Sequence, residues 1–565
     1  MADPAHDSRE FAVSCLRQFA AERASASRWS IAALVLAALA GMPLAAISWA
    51  ALSGAGGGEA LGDLARTVLP TYIANTALLM LLAGGLAAVT GTGCAWLVAA
   101  CRFPGRRVLG WALVLPLALP AYIAAYVYAD MLDYAGPVQS ALRGATGWGA
   151  GAYWLPDIRS LPGGALVLAS VLYPYVYLLA RTAFATQSAR QFRAARSLGA
   201  KPARAFWQVA LPAARPAIAG GLALVLMEVL ADFGVAEYFA IPTFSTGIFR
   251  SWLAMGDKEP ALKLAAVMLV FVIVLVTIEA ATRRGRSDSR DGLAQQNAEA
   301  EPLVALSPTG QALAFLACIV PVLIGFVLPA GYLAAMAMTD TAQAAIGDLA
   351  TYAQSSLWLG LAAVSLCLTC ALLLAFARAR SHSRITASAI RLATLGYALP
   401  GALLAVGLLA PLGAFDQSLT RFARDSLGWS GGLLLTGTSA ILVYALSVRF
   451  LTVAYNSVSG GLARIPPGLD AAARSLGAAP SRVLARVYAP LLSPSLAGAA
   501  ALVFIDTVRE LPATLILRPF NLETLATRTY RLAGDERLIE ASIPALILLA
   551  AGLLPVLVLN RLGKH

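Results

Sequence analysis

The chain contains few charged residues. Only 13% of its 565 residues are Asp, Glu, Lys or Arg, whereas 59% are hydrophobic and the mean hydropathy is +0.73. A typical soluble domain carries about 25% charged residues, so most of this chain needs lipid rather than water as its solvent. The composition excludes an ordinary soluble protein and predicts a polytopic membrane protein.

Lysine is scarcer still, and its scarcity excludes one kind of nucleotide site. The four lysines are Lys201, Lys258, Lys263 and Lys564, and none is followed by Ser or Thr. The phosphate-binding loop G-x-x-x-x-G-K-[ST] requires that dipeptide. We therefore do not expect this chain to bind or hydrolyse ATP itself.

Histidine and cysteine are also sparse. The three histidines, His6, His382 and His565, are scattered and no catalytic constellation surrounds them, so a membrane enzyme has little support. Among the six cysteines, Cys367 and Cys370 form a C-x-x-C pair without a second pair or a nearby His. We interpret the pair as packing residues of a membrane helix, and no metal site is assigned.

Long apolar runs dominate the chain instead. Each run is roughly 20 residues long, which is the length that crosses a hydrocarbon core of about 30 Å. The runs show no strand-like alternation, so an all-α fold rather than a barrel is predicted. The predicted spans are twelve, six in each half: 30–52, 74–101, 108–129, 164–183, 214–235, 262–281, 312–336, 355–377, 388–410, 431–453, 490–508 and 541–560.

Polar segments divide the chain into four parts. Residues 1–29 form a predicted cytoplasmic N-terminal tail, and residues 283–309 form a predicted cytoplasmic linker, since both lack apolar periodicity. The first membrane half is expected over 30–282 and the second over 310–565.

The net charge of +12 is interpreted as a sign of topology rather than of nucleic-acid binding. With the N-terminus in the cytoplasm, most of the 42 Lys and Arg residues fall on the cytoplasmic side of the predicted spans. This asymmetry follows the positive-inside rule. We expect a multi-pass protein of the bacterial cytoplasmic membrane, in contact with lipid and with both termini in the cytoplasm.

One short sequence occurs twice. Residues 194–200 and 472–478 both read AARSLGA, and the match continues on the C-terminal side, for example with Pro202 aligned to Pro480. Both copies lie between the fourth and fifth predicted spans of their half. The halves are therefore predicted to be parallel repeats related by an axis along the membrane normal.

Each copy predicts a helix, a sharp corner and a second helix. Gly199 and Gly477 suit the left-handed position that closes a helix, and Pro202 and Pro480 suit the first turn of the next helix. Such an element would present a rigid knob at the membrane surface. A lipid-binding interfacial helix is the alternative, but lipid binding does not require the same Gly, Pro and Arg at the same spacing in both halves.

The two copies resemble the EAA loop of ABC importer permeases, which reads Glu-Ala-Ala, three residues, Gly, nine residues, then Ile-x-Leu-Pro. Arg193 and Ala471 stand where that family has its leading Glu, and Ala489 stands where it has Leu. The resemblance implies coupling loops near 190–215 and 464–494 that seat in a groove of an ATP-hydrolysing subunit. The residues assigned to this coupling are Ala194, Ala195, Arg196, Gly199, Pro212, Ala472, Ala473, Arg474, Gly477 and Pro490.

The resemblance also implies a type I ABC importer permease fold and two kinds of partner. One is a cytosolic ABC ATPase, expected as a homodimer that binds ATP and Mg²⁺, and the other is a periplasmic or extracellular solute-binding protein. The segment DYAGPVQSALRGATGW, which starts at Asp133, is similar to fused two-half permeases of ferric-iron importers. Permeases for thiamine, polyamine, sulfate or phosphonate stay open as alternatives, as does an ion-coupled 6+6 secondary transporter.

Acidic residues repeat behind each loop. Glu228 aligns with Asp506 and Asp232 aligns with Glu510, so each half has two carboxylates four residues apart on one helix face. Charged groups inside a bilayer are costly. These acids are predicted either to line the path of a cation such as ferric iron or to pair between helices, and an interfacial structural role is favoured for Asp232 and Glu510.

Two aligned prolines, Pro120 and Pro400, predict breaks within membrane helices. Such breaks are tolerated where neighbouring helices or a cavity satisfy the freed carbonyls. Tyr122, Tyr126 and Tyr128 follow the first break, and we interpret them as an interfacial aromatic belt.

Overall fold

The structure, a computed structural model, is almost entirely helical. It describes residues 29–52, 66–149, 152–284, 304–344, 347–381, 383–428, 432–433, 435–466 and 468–562. The predicted N-terminal tail, except for residue 29, and most of the predicted linker lie outside these described residues. An all-α polytopic membrane protein, as predicted, is confirmed.

The first half is a series of long helices interrupted by short ones. A 3₁₀ turn covers Leu115–Ala118, and π-helical turns cover Phe206–Ala210 and Arg250–Ala254. The α-helices are α1 (Trp29–Leu52), α2 (Leu69–Ala100), α3 (Arg106–Ala112), α4 (Ala121–Leu132), α5 (Pro137–Thr146), α6 (Leu161–Ala185), α7 (Gln187–Ser197), α8 (Pro202–Ala205), α9 (Leu211–Ala231), α10 (Gly234–Tyr238), α11 (Phe244–Phe249) and α12 (Lys258–Arg284).

The second half repeats much of this order. A 3₁₀ turn covers Gly396–Ala398, and π-helical turns cover Leu323–Val327 and Leu484–Tyr488. The α-helices are α13 (Pro308–Val322), α14 (Leu328–Ala337), α15 (Asp340–Ala344), α16 (Leu349–Arg380), α17 (Arg384–Ala393), α18 (Gly401–Leu427), α19 (Ser439–Leu462), α20 (Gly468–Ser475), α21 (Pro480–Val483), α22 (Ala489–Arg509), α23 (Pro512–Leu517), α24 (Leu525–Gly534) and α25 (Leu538–Leu562).

One short pair of strands links a turn of the first half to the start of the second half. Two-residue strands, β1 (Cys101–Arg102) and β2 (Val304–Ala305), pair in parallel. The pairing ties the start of the second half to the turn that follows α2.

The internal duplication recurs in the helix boundaries. Helices α2 and α16 each have 32 residues, and α9 and α22 each have 21. Both α9 and α22 follow a four-residue helix and a π-helical turn of five residues. The Thr243 and Thr524 N–H groups, at the starts of α11 and α24, donate to the hydroxyls of Thr246 and Thr527, at 2.9 and 3.0 Å. Thr524 completes a capping box by accepting from the Thr527 N–H.

The membrane spans correspond to the predicted ones. In the described part of the chain, ten helices are long and apolar enough to cross a membrane, and one bent pair, Arg106–Ala118 with Ala121–Thr146, passes the same test as a unit. A shorter apolar helix covers Leu538–Leu554. Together these segments fall on the twelve predicted spans.

The predicted helix breaks are present at both prolines. Pro120 precedes α4, and the chain bends by 91° between the two members of the bent pair. Pro400 precedes α18 in the same way, after the 3₁₀ turn. Each proline lacks an N–H and restricts the residue before it, so the helix ends there and a new one begins.

Two predicted spans were placed too early. One was predicted at 388–410, but its helix runs over Gly401–Leu427, after the break at Pro400. The other was predicted at 431–453, but its helix runs over Ser439–Leu462. Asp416 in α18 accepts hydrogen bonds from the backbone N–H groups of Leu435 and Thr436, at 3.0 and 2.7 Å. Because the carboxylate occupies these amides, the segment forms a turn and the helix starts after it.

One compact unit combines α1 with helices of the second half. It contains the described part of Met1–Ala46 together with Trp358–Tyr397 and Ala440–Thr507. Within it, the Tyr444 hydroxyl donates a hydrogen bond to the Leu39 carbonyl at 2.6 Å. The first membrane helix of the chain is therefore packed among second-half helices.

The other compact unit shows the reciprocal arrangement. It contains the described parts of Ile47–Leu357, Ala398–Ser439 and Val508–His565. Within it, the Cys94 thiol of α2 lies 3.5 Å from the Ala317 carbonyl oxygen of α13, which is the first helix of the second half. Hydropathy places these helices along the chain but does not reveal this exchange.

The contact between α2 and α6 generates a prediction about stability. A Cβ at Gly91 would lie 2.8 Å from both the Tyr173 carbonyl oxygen and the Val176 Cβ. We expect Gly91→Ala to force these helices apart and to lower the free energy of unfolding by about 1–3 kcal/mol, measured as a lower thermal midpoint in detergent. Gly93→Ala is the matched control, because nothing lies within 4 Å of its added methyl. Equal midpoints for the two variants would contradict close packing at Gly91.

Candidate functional site

The first copy of the repeated motif closes α7 and opens α8. Gly199 has a φ of +87°, the left-handed conformation predicted for it, and the Ala200 N–H donates to the Ala195 carbonyl at 3.1 Å. That bond is the signature of a Schellman helix end. The Arg196 guanidinium also donates to the Ala200 carbonyl, at 2.7 Å. Backbone and side chain therefore hold one rigid corner, after which Pro202 begins α8.

The second copy has the same backbone geometry. Gly477 has a φ of +76°, the Ala478 N–H donates to the Ala473 carbonyl at 3.1 Å, and Pro480 begins α21. The predicted left-handed glycines and helix restarts are thus confirmed in both halves. The backbone of Arg474 lies in α20, but its side chain is outside the described part.

The other residues assigned to the motif lie at equivalent places. Ala194 and Ala472 are exposed on α7 and α20. Pro212 and Pro490 stand in the first turns of α9 and α22, directly after the π-helical turns. Their roles in coupling stay predictions.

Each loop exposes a leucine that the sequence reasoning missed. Leu198 is 88% exposed and Leu476 is 86% exposed, and they stand at the same position of the two AARSLGA copies. The identity of the two AARSLGA copies could have revealed these leucines. An apolar residue at the polar end of a surface helix contributes little to the fold, so its presence in both copies indicates another role. Two equivalent exposed apolar side chains suit contact with a partner protein.

The loops and the arginine-rich turns lie at the same ends of their helices. Trp96, close to the end of α2 where the turn with Arg106 and Arg107 begins, has its ring 4.6 Å from that of Phe206 behind the first loop. In the other compact unit, Phe376 near the end of α16 lies 6.2 Å from Tyr488 behind the second loop. Each loop is therefore on the side of the membrane that its unit's arginines mark.

Asp232 and Glu510 serve as equivalent helix caps. The Asp232 carboxylate accepts from the N–H groups of Val235 and Ala236, at 3.5 and 3.1 Å, and so caps α10. The Glu510 carboxylate is buried, accepts from the N–H groups of Ala513 and Thr514 at 3.1 and 3.0 Å, and so caps α23. These amides have no intrahelical partner, so each acid satisfies two groups that would otherwise be unpaired.

Glu228 and Asp506 lie in the last turns of α9 and α22. Both side chains are half-buried, and each interacts with neighbouring groups. Among the described residues, no three His, Cys, Asp or Glu side chains gather where they could hold a metal ion. A cation path along these four acids therefore stays a prediction.

The tyrosines that follow Pro120 do not form the predicted aromatic belt. Tyr122 is 6% exposed and Tyr126 is fully buried, while the Tyr128 hydroxyl donates to the Ile324 carbonyl. The prediction was wrong because the bend at Pro120 directs α4 into the interior of its unit. Tyr122 and Tyr126, which the sequence places just after the end of an apolar helix, are therefore core residues.

These features define a class of protein. The chain is an all-α, multi-pass membrane protein built from two related halves, each with the same surface loop between equivalent helices.

Within that class, residues 91–285 match the family described as "Binding-protein-dependent transport system inner membrane component". The chain is therefore similar to the permeases of this family over residues 91–285. It is also similar to the "Fe(3+)-transport system permease protein FbpB 2" of Haemophilus influenzae, with 25% identity over 502 residues that cover 88% of this chain and 91% of the relative.

Permeases named for other solutes match shorter parts of the chain. The "Molybdenum transport system permease protein ModB" of Escherichia coli is 26% identical over 33% of this chain and 80% of its own length. The "Sulfate transport system permease protein CysT" of Synechocystis is 27% identical over 41% of this chain and 81% of its own length.

Substitutions at the two capping acids separate a structural role from a role in transport. We expect Asp232→Ala and Glu510→Ala each to lower stability by about 0.5–2 kcal/mol, because the amides of α10 and α23 lose their acceptor. Asp232→Asn and Glu510→Gln keep an acceptor oxygen without the charge, so their thermal midpoints should stay near that of the parent.

The same variants test the predicted transport path. Loss of solute uptake in the stable Asn and Gln variants would mean that the negative charge itself is used. If the Ala variants had the same thermal midpoint as the parent protein, the capping role would be contradicted.

Proposed function

We propose that this chain is the transmembrane permease subunit of a binding-protein-dependent ABC importer that moves ferric iron across the bacterial cytoplasmic membrane, with both termini in the cytoplasm. The observation that carries the iron assignment is the extent of similarity to the Fe(3+) permease, which covers 88% of the chain and includes both halves. The matches to the molybdenum and sulfate permeases cover only 33% and 41% of the chain.

The two loops dock with the ATPase in this proposal. Each offers an exposed leucine on a corner that a left-handed glycine and a Schellman bond hold in place. A homodimeric ATPase has two equivalent grooves, which suits two loops of equal geometry. ATP and Mg²⁺ are bound by that partner.

Each loop is joined to the membrane path by a single helical segment. In the first half, Pro202–Ala231 is one span of 30 residues, with a π-helical turn near its start and the capping residue Asp232 directly after its end. In the second half, α21, a π-helical turn and α22 run in the same way to Glu510. A displacement of the loop is therefore transmitted along the helix to the helix break that the acid caps.

A solute-binding protein delivers the substrate from the opposite side of the membrane. ATP-driven closure of the ATPase then moves the two loops and switches the pathway between inward-facing and outward-facing states. An ion-coupled secondary transporter is the weaker candidate, because it has no need of two repeated docking loops.

An importer for an oxyanion is the second candidate for the substrate. It is favoured by the 26% and 27% identities to the molybdenum and sulfate permeases, which extend over 80% and 81% of those proteins.

Substitution of both exposed leucines by serine tests the docking role. Burial of a leucine contributes roughly 1.5–3 kcal/mol, so Leu198→Ser with Leu476→Ser should weaken association with the ATPase by at least about tenfold. The measurement is the binding of the purified ATPase to the permease in nanodiscs, with thermal stability recorded in parallel. Leu198→Met with Leu476→Met is the matched control and should bind normally.

Stability should not change in either pair, since both leucines are on the surface. Undiminished ATPase binding by the double serine variant would contradict the docking role.

Reconstitution tests the substrate. The chain is incorporated into proteoliposomes with its ATPase and candidate solute-binding proteins, and uptake of radioactive ferric iron, molybdate and sulfate is compared with and without ATP. We expect ATP-dependent uptake of iron. If only molybdate or sulfate is taken up, the substrate is an oxyanion rather than ferric iron. Uptake that needs no ATPase would contradict the assignment to an ABC importer.

A further inference from the structure

Four tyrosines lie close to the helix break at Pro120, within one compact unit. The rings of Tyr122 and Tyr126 in α4 are 5.7 Å apart, and Tyr126 lies 4.5 Å from Tyr238 of α10. Tyr530 of α24 lies near them, since its ring is 5.8 Å from that of Phe233, which directly precedes the glycine that packs against Tyr122. We call these residues, Tyr122, Tyr126, Tyr238 and Tyr530, the tyrosine cluster.

Two hydroxyls of the tyrosine cluster are buried without a partner. The hydroxyl oxygens of Tyr122 and Tyr126 have no hydrogen-bond partner among the described residues, although the side chains are only 6% and 0% exposed. A buried polar group without a hydrogen bond is costly and calls for a reason. Phenylalanine would fill the same space without that cost, so packing alone does not account for these hydroxyls.

A cationic group next to the cluster is also incompletely paired. Arg509, the last residue of α22, stands two residues before Leu511, whose side chain lies with that of Tyr122 around Gly234. Its Nε atom is buried without a hydrogen-bond partner in the described part of the chain. The unpaired groups around the cluster are therefore the two hydroxyls and the guanidinium Nε–H, while the carboxylates of Asp232 and Glu510 lie close by and already accept backbone N–H groups of α10 and α23.

Such a set suits an oxygen-rich anion. Phenol hydroxyls and a guanidinium donate to oxyanions through short, charge-assisted hydrogen bonds, whereas Arg509 would repel a bare metal cation. Broken membrane helices are tolerated where they line a cavity or a transport path, and α4 starts at such a break.

We propose that Tyr122, Tyr126 and Arg509 bind oxyanion oxygens of the transported solute. This deepens the proposed function and rests on it. If the solute is ferric iron, the iron passes this point together with an anion, such as phosphate, whose oxygens meet the three donors. If the solute is a free oxyanion, the same donors meet it directly.

The test measures oxyanion binding by the full chain assembled with its ATPase. Inorganic phosphate, sulfate and molybdate are added in turn, and the thermal midpoint is recorded, because a ligand that binds the folded state raises it. We expect at least one anion to raise the midpoint of the parent protein. In Tyr122→Phe and Tyr126→Phe the apparent affinity for that anion should fall by about tenfold, since each variant loses one hydrogen bond to a charged group.

Tyr173→Phe is the matched control. Tyr173 is also fully buried and its hydroxyl also has no partner among the described residues, but it lies in α6, where its backbone packs against Gly91 of α2. All three Phe variants remove an unpaired hydroxyl and should fold at least as well as the parent, whereas only the cluster variants should bind the anion more weakly. Arg509→Gln should weaken binding more than Arg509→Lys, which keeps the charge.

The outcomes separate this inference from the iron assignment. If no anion raises the midpoint, or if Tyr122→Phe and Tyr126→Phe bind it as Tyr173→Phe does, the inference is overturned even when iron is imported. If the cluster variants lose binding and proteoliposomes take up molybdate or sulfate but not iron supplied with phosphate, the inference stands and the iron assignment fails.

Discussion

A backbone amide or carbonyl inside a bilayer has no water to bond with, and this constraint underlies the interruptions of the helices in this protein. Where α9 ends, Asp232 takes up two amides of the next helix, and Glu510 does the same after α22. The hydroxyls of Thr246 and Thr527 accept the N–H groups of Thr243 and Thr524 at the starts of α11 and α24. Acidic and hydroxylated side chains in otherwise apolar segments thus have a structural reason to be there.

Each of these capping arrangements occurs once in each half, and so does the AARSLGA loop. Gly199 and Gly477 close their helices by the same bond, and the following π-helical turns and long helices match in length. In the proposed coupling an ATPase dimer acts on both loops together, which requires equal geometry in the two halves. Within one compact unit α1 packs with second-half helices, and within the other α13 lies against α2 of the first half.

The unpaired groups of the tyrosine cluster stand out against this background. At Asp232 and Glu510 a carboxylate closes the start of the next helix, but the hydroxyls of Tyr122 and Tyr126 have no partner in the described part of the chain. A transporter has to offer its solute groups that the protein itself leaves unused. Unmet donors beside a bend of 91° in the membrane segment fit that requirement.

Local pattern was sufficient for the membrane spans, the breaks at Pro120 and Pro400 and the left-handed conformation of Gly199 and Gly477. Apolar length, proline chemistry and the φ range open to glycine act over a few neighbouring residues, so the sequence by itself determined them. Only the tertiary structure decided that Tyr126 is buried rather than interfacial, and that α1 packs among second-half helices. The physical reason is that burial depends on contacts between segments that are hundreds of residues apart, and hydropathy carries no record of those partners.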